Sequence, residues 1–435
     1  MRRALQYIQN IQKSTSHRVT NIIKRKHWKD TDMNRFFHNI LSAVAAVAAM
    51  ALGGAATSCT MIEDDVTDCP TGLYVRFVYD YNTQRADMFR DHVGHVKLYV
   101  YDEQGHKVAE RSVSNAADFT PLRNYGYTIH FNPGELAPGR YRLLAVAMHK
   151  DWDDALAAPG AKYRREEGPS ATDLKIHLDH AASPVEGTDL YPVEHGPDGL
   201  DILWHTLKVM SYTPDDGRDV PPMHTTARPY SVYPLEDQLV TVTDNMATYA
   251  TVSMVRDTKH LDLTLRQIDD PDNMFHQDYA VEIVEANGSL GHDNEVLDGP
   301  TLLYTPYESW TTRFDENGVQ PDQGRPESKA AVLQRTAHYN VMFNRLAIDP
   351  ANASKGAVLR ITHRESGKTV AEMNLTHLLS EGRTAYELAN YAPQEYLDRE
   401  YDYHLDFLLK GDQWAYCDIR INLLSWSKRI ENISL

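Results

Sequence analysis

Cys59 is the residue whose chemistry is best defined by its neighbours in this sequence. Four small residues at 55–58, Ala-Ala-Thr-Ser, lead into it, and the apolar segment 40–52, which carries no charge, precedes them. Small side chains fit a narrow peptidase cleft, and the pattern is that of a bacterial lipoprotein signal. It predicts cleavage before Cys59 and attachment of lipid to its thiol. The alternatives are a membrane-spanning anchor and a buried core helix, but the run is shorter than the roughly 20 apolar residues that a spanning helix needs.

Two groups of residues could hold a metal ion. His177 and His180, with Asp179 between them, offer imidazole and carboxylate ligands, although a solvated loop explains the same spacing. The segment 293–298 offers carboxylate oxygens to calcium, but a twelve-residue calcium loop with its central Gly and terminal Glu is absent. We therefore expect neither a metal nor a cofactor.

Motifs of known catalytic sites are missing. The sequence contains no GxSxG, HExxH, CxxC or GxGxxG, so we expect no enzymatic activity. The segment 367–369, Gly-Lys-Thr, imitates the end of a phosphate-binding loop, but that loop needs a glycine where this chain has Thr362, and we interpret it as a hairpin turn. Trp310, Trp414 and Trp426 could stack on sugar rings, although tryptophan is at least as often a core or interface residue.

The charge of the chain excludes some partners. Nine of its 44 Lys and Arg residues and two of its 61 Asp and Glu residues precede Cys59, so the formal charge of −17 becomes −24 for the part that follows cleavage. Nucleic acids and anionic lipids attract basic surfaces. We therefore expect no nucleic-acid partner, and we expect the membrane to be reached through the lipid.

The region before the folded part divides into two segments. Residues 1–58 form an N-terminal extension and signal peptide, in which Met33 opens a conventional basic n-region and could be the true start. Residues 59–71 form an acidic tether. Its cluster at 63–65, Glu-Asp-Asp, is either a solvated linker or a signal that sends the lipoprotein to the outer cell surface. Cys69 and Cys417 could form a disulfide in an oxidising envelope.

The rest of the chain shows the period-two alternation of strands. In the first half, alternating apolar residues and turn residues predict strands at 72–82, 95–101, 106–112, 127–131, 141–149 and 200–212. Residues 151–235 are otherwise rich in Pro, Gly, Asp and His, and we expect long connections there. These features are typical of an all-β meander or Greek-key sandwich.

The second half continues the same pattern. Alternation is clear at 249–255, 261–266, 279–283, 341–343 and 359–370, a short helix is expected at 375–379, and a last hairpin over 401–423 turns at 411–412. The polar segment 256–260 interrupts the pattern directly after a strand. We therefore predict two β-sandwich domains, at 72–256 and 257–435.

Several short segments together resemble one family, the fimbrial anchor lipoproteins of Bacteroidales, the FimB-type proteins of type V pili. They are Cys59, Asp68-Cys69-Pro70, Gly72-Leu73, Tyr79 to Asn82, Ala86 to Phe89, Val96 to Asp102 with Gly105, Val255 to Thr258, Arg399 to Tyr403, and Ile421 to Trp426. The resemblance implies two transthyretin-like β-sandwiches in tandem, and a role at the base of a fimbria, holding it to the outer membrane and limiting its length. The long, His-rich region 151–235 departs from the family.

Two functions follow as hypotheses. The first is a non-enzymatic, lipid-anchored outer-membrane protein that pairs with the last stalk (pilin) subunit through an exposed strand edge. The strand beginning at Gly72 and the hairpin from Tyr401 to Trp426 are the candidates for that joint. The alternative is a surface lipoprotein that binds a glycan or a host ligand directly.

Overall fold

Strands make up most of the regular structure of the computed structural model, which describes residues 70–114, 128–212, 238–314, 334–349, 351–352, 355–421 and 426–431. The prediction of an all-β fold is confirmed. Cys59, Cys69, the signal segment and the tether up to residue 69 lie outside the described residues.

In chain order the described strands are β1 (Gly72–Val78), β2 (His95–Asp102), β3 (Lys107–Ser114), β4 (Thr128–Phe131), β5 (Gly139–Met148), β6 (Tyr163–Glu166), β7 (Lys175–Leu178), β8 (Leu190–Val193), β9 (Leu203–Tyr212), β10 (Leu239–Val242), β11 (Ala247–Arg256), β12 (Lys259–Gln267), β13 (Tyr279–Glu285), β14 (Ser289–Leu290), β15 (Thr301–Tyr304), β16 (Glu308–Phe314), β17 (Gln334–Phe343), β18 (Val358–His363), β19 (Lys368–Asn374), β20 (Asp402–Lys410), β21 (Gln413–Ile421) and β22 (Trp426–Glu431). The helices are α1 (Phe89–His92), α2 (Trp152–Ala157), α3 (Leu375–Ser380), α4 (Ala385–Asn390) and α5 (Pro393–Arg399), and short 3₁₀ turns occur at Ala171–Asp173 and His276–Asp278.

The largest sheet comes from the first half of the chain. Its strand order is β3-β2-β5-β9-β11-β1-β4, and β10 pairs with the free part of β5. β1 is an inner strand, because it pairs in parallel with β11 and antiparallel with β4. The predicted turn between β2 and β3 is present, with Gly105 at a φ of 86°, a conformation that glycine adopts without a steric penalty.

Two neighbouring strands of this sheet, β2 and β5, are buried on both faces over most of their length. Val96, Leu98 and Val100 of β2 point into one hydrophobic core together with β1 and β11. Tyr99 and Tyr101, on the opposite face of β2, belong to a second core. β5 is divided in the same way, because its sequence LLAVAM is apolar throughout rather than alternating.

The second half of the chain builds the other two large sheets. One has the order β16-β17-β12-β20-β21-β22 and the other β19-β18-β13-β15-β8. The predicted C-terminal hairpin is present as β20 and β21, and the short helix predicted at 375–379 is present as α3. These sheets supply most of the second core.

The expectation of long connections over 151–235 is wrong for the described part of that region. Residues 151–202 contain α2 and the strands β6, β7 and β8. β8 pairs in parallel with β15, and β7 pairs with both β6 and β14. Each of these strands has only four residues, which is too few for alternation to be recognised, and β8 also contains Pro192. β7 and β8 are stabilised by pairing with β14 and β15, which are distant in the sequence.

The division into 72–256 and 257–435 stays a prediction. Sheet membership changes between β11 and β12, as that boundary requires. The second core, however, contains residues from both sides of it, including Tyr99, Leu203 and Leu359.

Candidate functional site

The segment that links β11 to β12 is buried, although its sequence is polar. Arg256 is 5% exposed, and Asp257, Thr258 and Lys259 are not exposed at all. Buried polar groups need partners, and the surrounding residues provide most of them. We call Arg256 to Lys259 with those partners the junction cluster.

The side-chain oxygens of Asp257 and Thr258 all have hydrogen-bond partners. Asp257 Oδ2 is 2.6 Å from His205 Nδ1, and its Oδ1 accepts a hydrogen bond from Asn294 Nδ2 at 2.8 Å. Thr258 Oγ1 lies 3.0 Å from the Tyr163 hydroxyl and donates to the Asp201 carbonyl at 2.9 Å. Asp257 and Thr258 therefore connect the 151–202 region to both halves of the chain.

Lys259 binds the end of helix α5. Its Nζ donates to the carbonyl oxygens of Asp398 at 3.0 Å and Glu400 at 2.9 Å. Burial lowers the pKa of Lys259 to about 8. The Asp398 carboxylate accepts two parallel bonds from Arg345, at 2.8 and 3.0 Å, the strong bidentate form of an ion pair.

A cavity of about 570 Å³, which we call the junction pocket, opens beside the cluster. It is lined by the end of β11, the start of β12 and β20, residues that flank helix α2, the segment 196–202, and the side chains of Tyr307 and Met342. Arg256, His260, Tyr401 and Asp402 line it. The pocket therefore lies where the predicted domains meet.

His and Asp residues alternate across β12 and β20 next to this pocket. The parallel register pairs His260 with Asp402 and Asp262 with His404. His260 Nδ1 is 2.7 Å from Asp402 Oδ1, and His404 Nδ1 is 3.2 Å from Asp262 Oδ2. Hydrogen bonds to Asp262 and Asp402 raise the pKa of His404 to about 9. Burial acts to raise the pKa of Asp402, but its bonds with the two histidines outweigh burial and hold it below its usual value.

The outer strands of the sheets are candidate contacts for another protein. The ends of the largest sheet are tied together, because Arg111 on β3 donates to the His130 carbonyl of β4 and lies 4.7 Å from the Phe131 ring. β8 is covered at its outer side, where its Leu190 and Pro192 carbonyls accept bonds from residues 181–185.

The six-stranded sheet ends in β22. This strand pairs with β21 from Trp426 to Glu431, and no strand of the described part of the chain pairs with its other side. A joint at the strand beginning at Gly72 would require a free strand edge. β1 has no free edge, because it pairs with β11 on one side and with β4 on the other. In the hairpin from Tyr401 to Trp426, β20 and β21 are likewise inner strands, so the free edge belongs to β22, which begins at Trp426.

The residues singled out as metal ligands have other partners. His177 Nδ1 lies 2.9 Å from Ser289 Oγ and its Nε2 lies 3.0 Å from Glu166. His180 bonds the Ala181 carbonyl, and Asp179 accepts from Arg164. Within the described ranges, no group of three His, Cys, Asp or Glu residues is arranged to hold a metal ion.

The other residues singled out in the sequence belong to a turn, to contacts between aromatic rings and to the core. Residues 364–367 form the β18–β19 turn, with Gly367 at a φ of 64°, and Lys368 begins β19. Trp414 packs edge-on against Phe407, whereas Trp310 on the outer strand β16 stacks on His338 with ring centroids 4.8 Å apart. Cys417 is buried and forms no disulfide within the part of the chain that the structure describes, and the predicted partner Cys69 lies outside that part. None of the helices in the described residues is long and apolar enough to cross a membrane.

Comparison with known proteins gives consistent results. The family model described as fimbrillin-A associated anchor proteins Mfa1 and Mfa2 matches residues 66–195 and 229–432. The minor fimbrium anchoring subunit Mfa2 of Porphyromonas gingivalis is 28% identical over 200 residues, which cover 42% of this chain and 53% of that protein. The chain thus spans about half the length of this relative.

Two crystal structures from Bacteroides thetaiotaomicron share the fold. One, described as a candidate polysaccharide-binding protein, has a TM-score of 0.57 and 25% identity and covers 83% of this chain and 99% of its own. The other, described as a candidate adhesin, has a TM-score of 0.57 and 22% identity and covers 84% and 100%.

Proposed function

This chain belongs to the family of fimbrillin-A associated anchor proteins Mfa1 and Mfa2, and from that premise we propose that it anchors a fimbria to the outer membrane and ends its assembly. The observation that carries the proposal is the family match over both halves of the folded region, at 66–195 and 229–432. The chain's relative in Porphyromonas gingivalis is described as an anchoring subunit. An anchor needs one attachment to the membrane and one to the stalk.

The membrane attachment is assigned to Cys59. The apolar segment and the small residues before it support acylation there, and two or more acyl chains hold a protein stably on a membrane. The acidic tether then separates the lipid from the first strand, β1. We place the protein at the outer face of the outer membrane, with its negative charge keeping the exposed domains soluble.

The attachment to the stalk is assigned to β22. Its outer side has no strand partner in the described residues, and unpaired edge groups accept an added strand from another subunit. β22 is an outer strand of its sheet, so a partner strand can pair with it without rearranging the inner strands. If the stalk subunit pairs with β22 alone and not with the other outer strands such as β16 and β19, the joint accepts one subunit and adds no further one, which would end assembly.

Replacing Cys59 with Ala tests the anchor function. The variant keeps every residue that the structure describes, so we expect a folded protein that is released from membranes, together with fimbriae shed into the medium. The measurement is the amount of protein and pilin in membrane and culture-supernatant fractions. Cys69→Ala is the matched control and should stay in the membrane fraction. Fimbriae that remain attached to Cys59→Ala cells would contradict the proposal.

A second candidate function is direct binding of a glycan. Trp310 favours it, because this ring is partly exposed on an outer strand and one of the similar structures is described as a candidate polysaccharide-binding protein. Its test is a glycan array with the purified protein and with Trp310→Ala. If Trp310→Ala binds the same glycans as strongly as the wild type, Trp310 is excluded as the sugar contact.

A further inference from the structure

The junction pocket contains a cation without a carboxylate partner. The Arg256 side chain is 5% exposed and lines the pocket. Its Nε donates to the Thr258 carbonyl at 2.8 Å, and its guanidinium lies over the Tyr401 ring, 4.2 Å from the centroid. Among the described residues, nothing accepts a hydrogen bond from its two terminal nitrogens.

The other charged groups around the pocket have partners. Asp402 is bonded to His260, and Lys150 at the rim lies 3.5 Å from Asp201 and 3.9 Å from Asp198. In the junction cluster, Asp257 is bonded to His205 and Asn294 as described above. Lys259, the other buried cation of the cluster, is bonded to two carbonyl oxygens and does not line the pocket, so Arg256 is the cation that the pocket offers to a ligand.

An unpaired buried cation is energetically costly, and the cost is removed when an anion binds. Guanidinium groups bind carboxylates through two parallel N–H···O bonds made by one edge of the planar group. In Arg256 the ring of Tyr401 covers a face of the guanidinium, which leaves its edge for such a bond. The volume of about 570 Å³ lies within the range of small-molecule sites, about 300–1,000 Å³.

We propose that the junction pocket binds the carboxylate of a small ligand, with Arg256 as the carboxylate contact and the rings of Tyr307 and Tyr401 beside the body of the ligand. The same carboxylate chemistry could come from a uronic acid or from the C-terminus of a short peptide. This site contains neither Cys59 nor any residue of β22, and it requires neither the lipid nor the stalk.

Calorimetric titration separates these sources. The protein is the purified chain from residue 59 onward, in which the Cys59→Ala change prevents attachment of lipid. The sugar arm compares glucuronic acid with glucose, and the peptide arm compares N-acetyl-Gly-Gly with its C-terminal amide. We expect an acid to bind and its neutral counterpart to bind at least about tenfold more weakly. Binding in one arm identifies the source, and binding of both acids indicates a general carboxylate site. If neither acid binds, or the neutral compounds bind equally well, the proposal is overturned.

Variants assign the binding to Arg256. Arg256→Gln should lower the affinity for the acid by at least about tenfold, whereas Arg164→Gln, at an exposed arginine outside the pocket, should leave it unchanged. Because Arg256→Gln could disturb the fold, Ala158→Phe provides a second variant that fills the pocket from its partly exposed wall. Circular dichroism and thermal melting check the fold of each. Retained affinity in folded Arg256→Gln or Ala158→Phe would overturn the assignment.

Discussion

At the scale of residues, the junction cluster shows how a polar segment can be buried. The buried side chains of this segment find partners in different parts of the chain: Asp257 is bonded to His205 and Asn294, and Lys259 to the carbonyls at the end of α5. Each hydrogen bond offsets part of the cost of removing a charge from water. Glu400 is another buried member of this region; burial raises its pKa, and its carboxylate is held by Thr83 and by the backbone N–H of Tyr401.

The His–Asp pairs of β12 and β20 should make stability depend on pH. The pKa of His404 is about 9 in the folded state and near 6.5 when unfolded, so its contribution is complete below about pH 6.5 and is lost as the pH rises through 9. The lowered pKa of Asp402 acts in the other direction, and its contribution is lost in acid. The histidine shift corresponds to roughly 3 kcal/mol, which solvent screening of this partly exposed pair reduces to about 1–2 kcal/mol.

We therefore expect the His404 contribution to the free energy of unfolding to fall by about 1–2 kcal/mol between pH 6.5 and 9, while the lowered pKa of Lys259, about 8, makes stability rise with pH above 8. Urea unfolding at several pH values measures this fall. The loss of stability caused by His404→Gln should shrink by this amount between pH 6.5 and 9, whereas His377→Gln, at an exposed histidine on α3, should keep the pH dependence of the wild type. An unchanged slope in His404→Gln would show that the pair does not account for it.

At the scale of elements, removal of β22 tests the proposed joint with the stalk subunit. A deletion of residues 413–435 would also remove β21, whose Cys417 and Ile419 are buried, and so would damage the core. Removing residues 422–435 takes away β22 but leaves those side chains in place.

We expect the 422–435 truncation to fold, to reach the membrane and to lose its fimbriae, because the proposed pairing strand is missing. The measurement is immunogold labelling of pilin on whole cells, together with the length of shed fimbriae. Removal of residues 432–435 alone keeps β22 and is the control. Normal numbers of attached fimbriae on cells with the longer truncation would rule out β22 as the joint.

The helices illustrate which elements a sequence reveals. α3 was predicted from apolar spacing, whereas α4 and α5 were missed. Both carry local signals: Thr384 and Glu387 form a capping box at α4, and Pro393 occupies the first turn of α5. Each helix has only six or seven residues, too few for a periodic pattern to stand out beside these caps.

At the scale of the whole molecule, the two cores share the strands β2 and β5. One face of each strand packs with β1 and β11, and the other face packs with the sheets of the second half. Breaking the second core would therefore expose Tyr99 and Leu144 of the first half. This sharing couples the two halves energetically, whichever way the chain is divided into domains.

We expect one cooperative thermal transition for the chain from residue 59 onward. Val75→Ala in the first core and Leu359→Ala in the second should each lower the midpoint of that same transition, with a loss of about 2–4 kcal/mol for Leu359→Ala. Scanning calorimetry measures both. If two transitions appear and each variant shifts a different one, the halves unfold independently and the shared sheet does not couple them.

The sequence by itself determined the features that depend on local order. Period-two alternation predicts β1, β2 and the β20–β21 hairpin because each strand buries one set of alternate side chains, and the spacing around Cys59 predicts a lipid site because a peptidase reads contiguous residues. Only the tertiary structure decided that Arg256 to Lys259 are buried, that residues 151–202 form strands, and that β22 is an outer strand. The reason is physical: these properties depend on partners such as Asn294, β15 and the end of α5, which lie far away in sequence and meet only when the chain is folded.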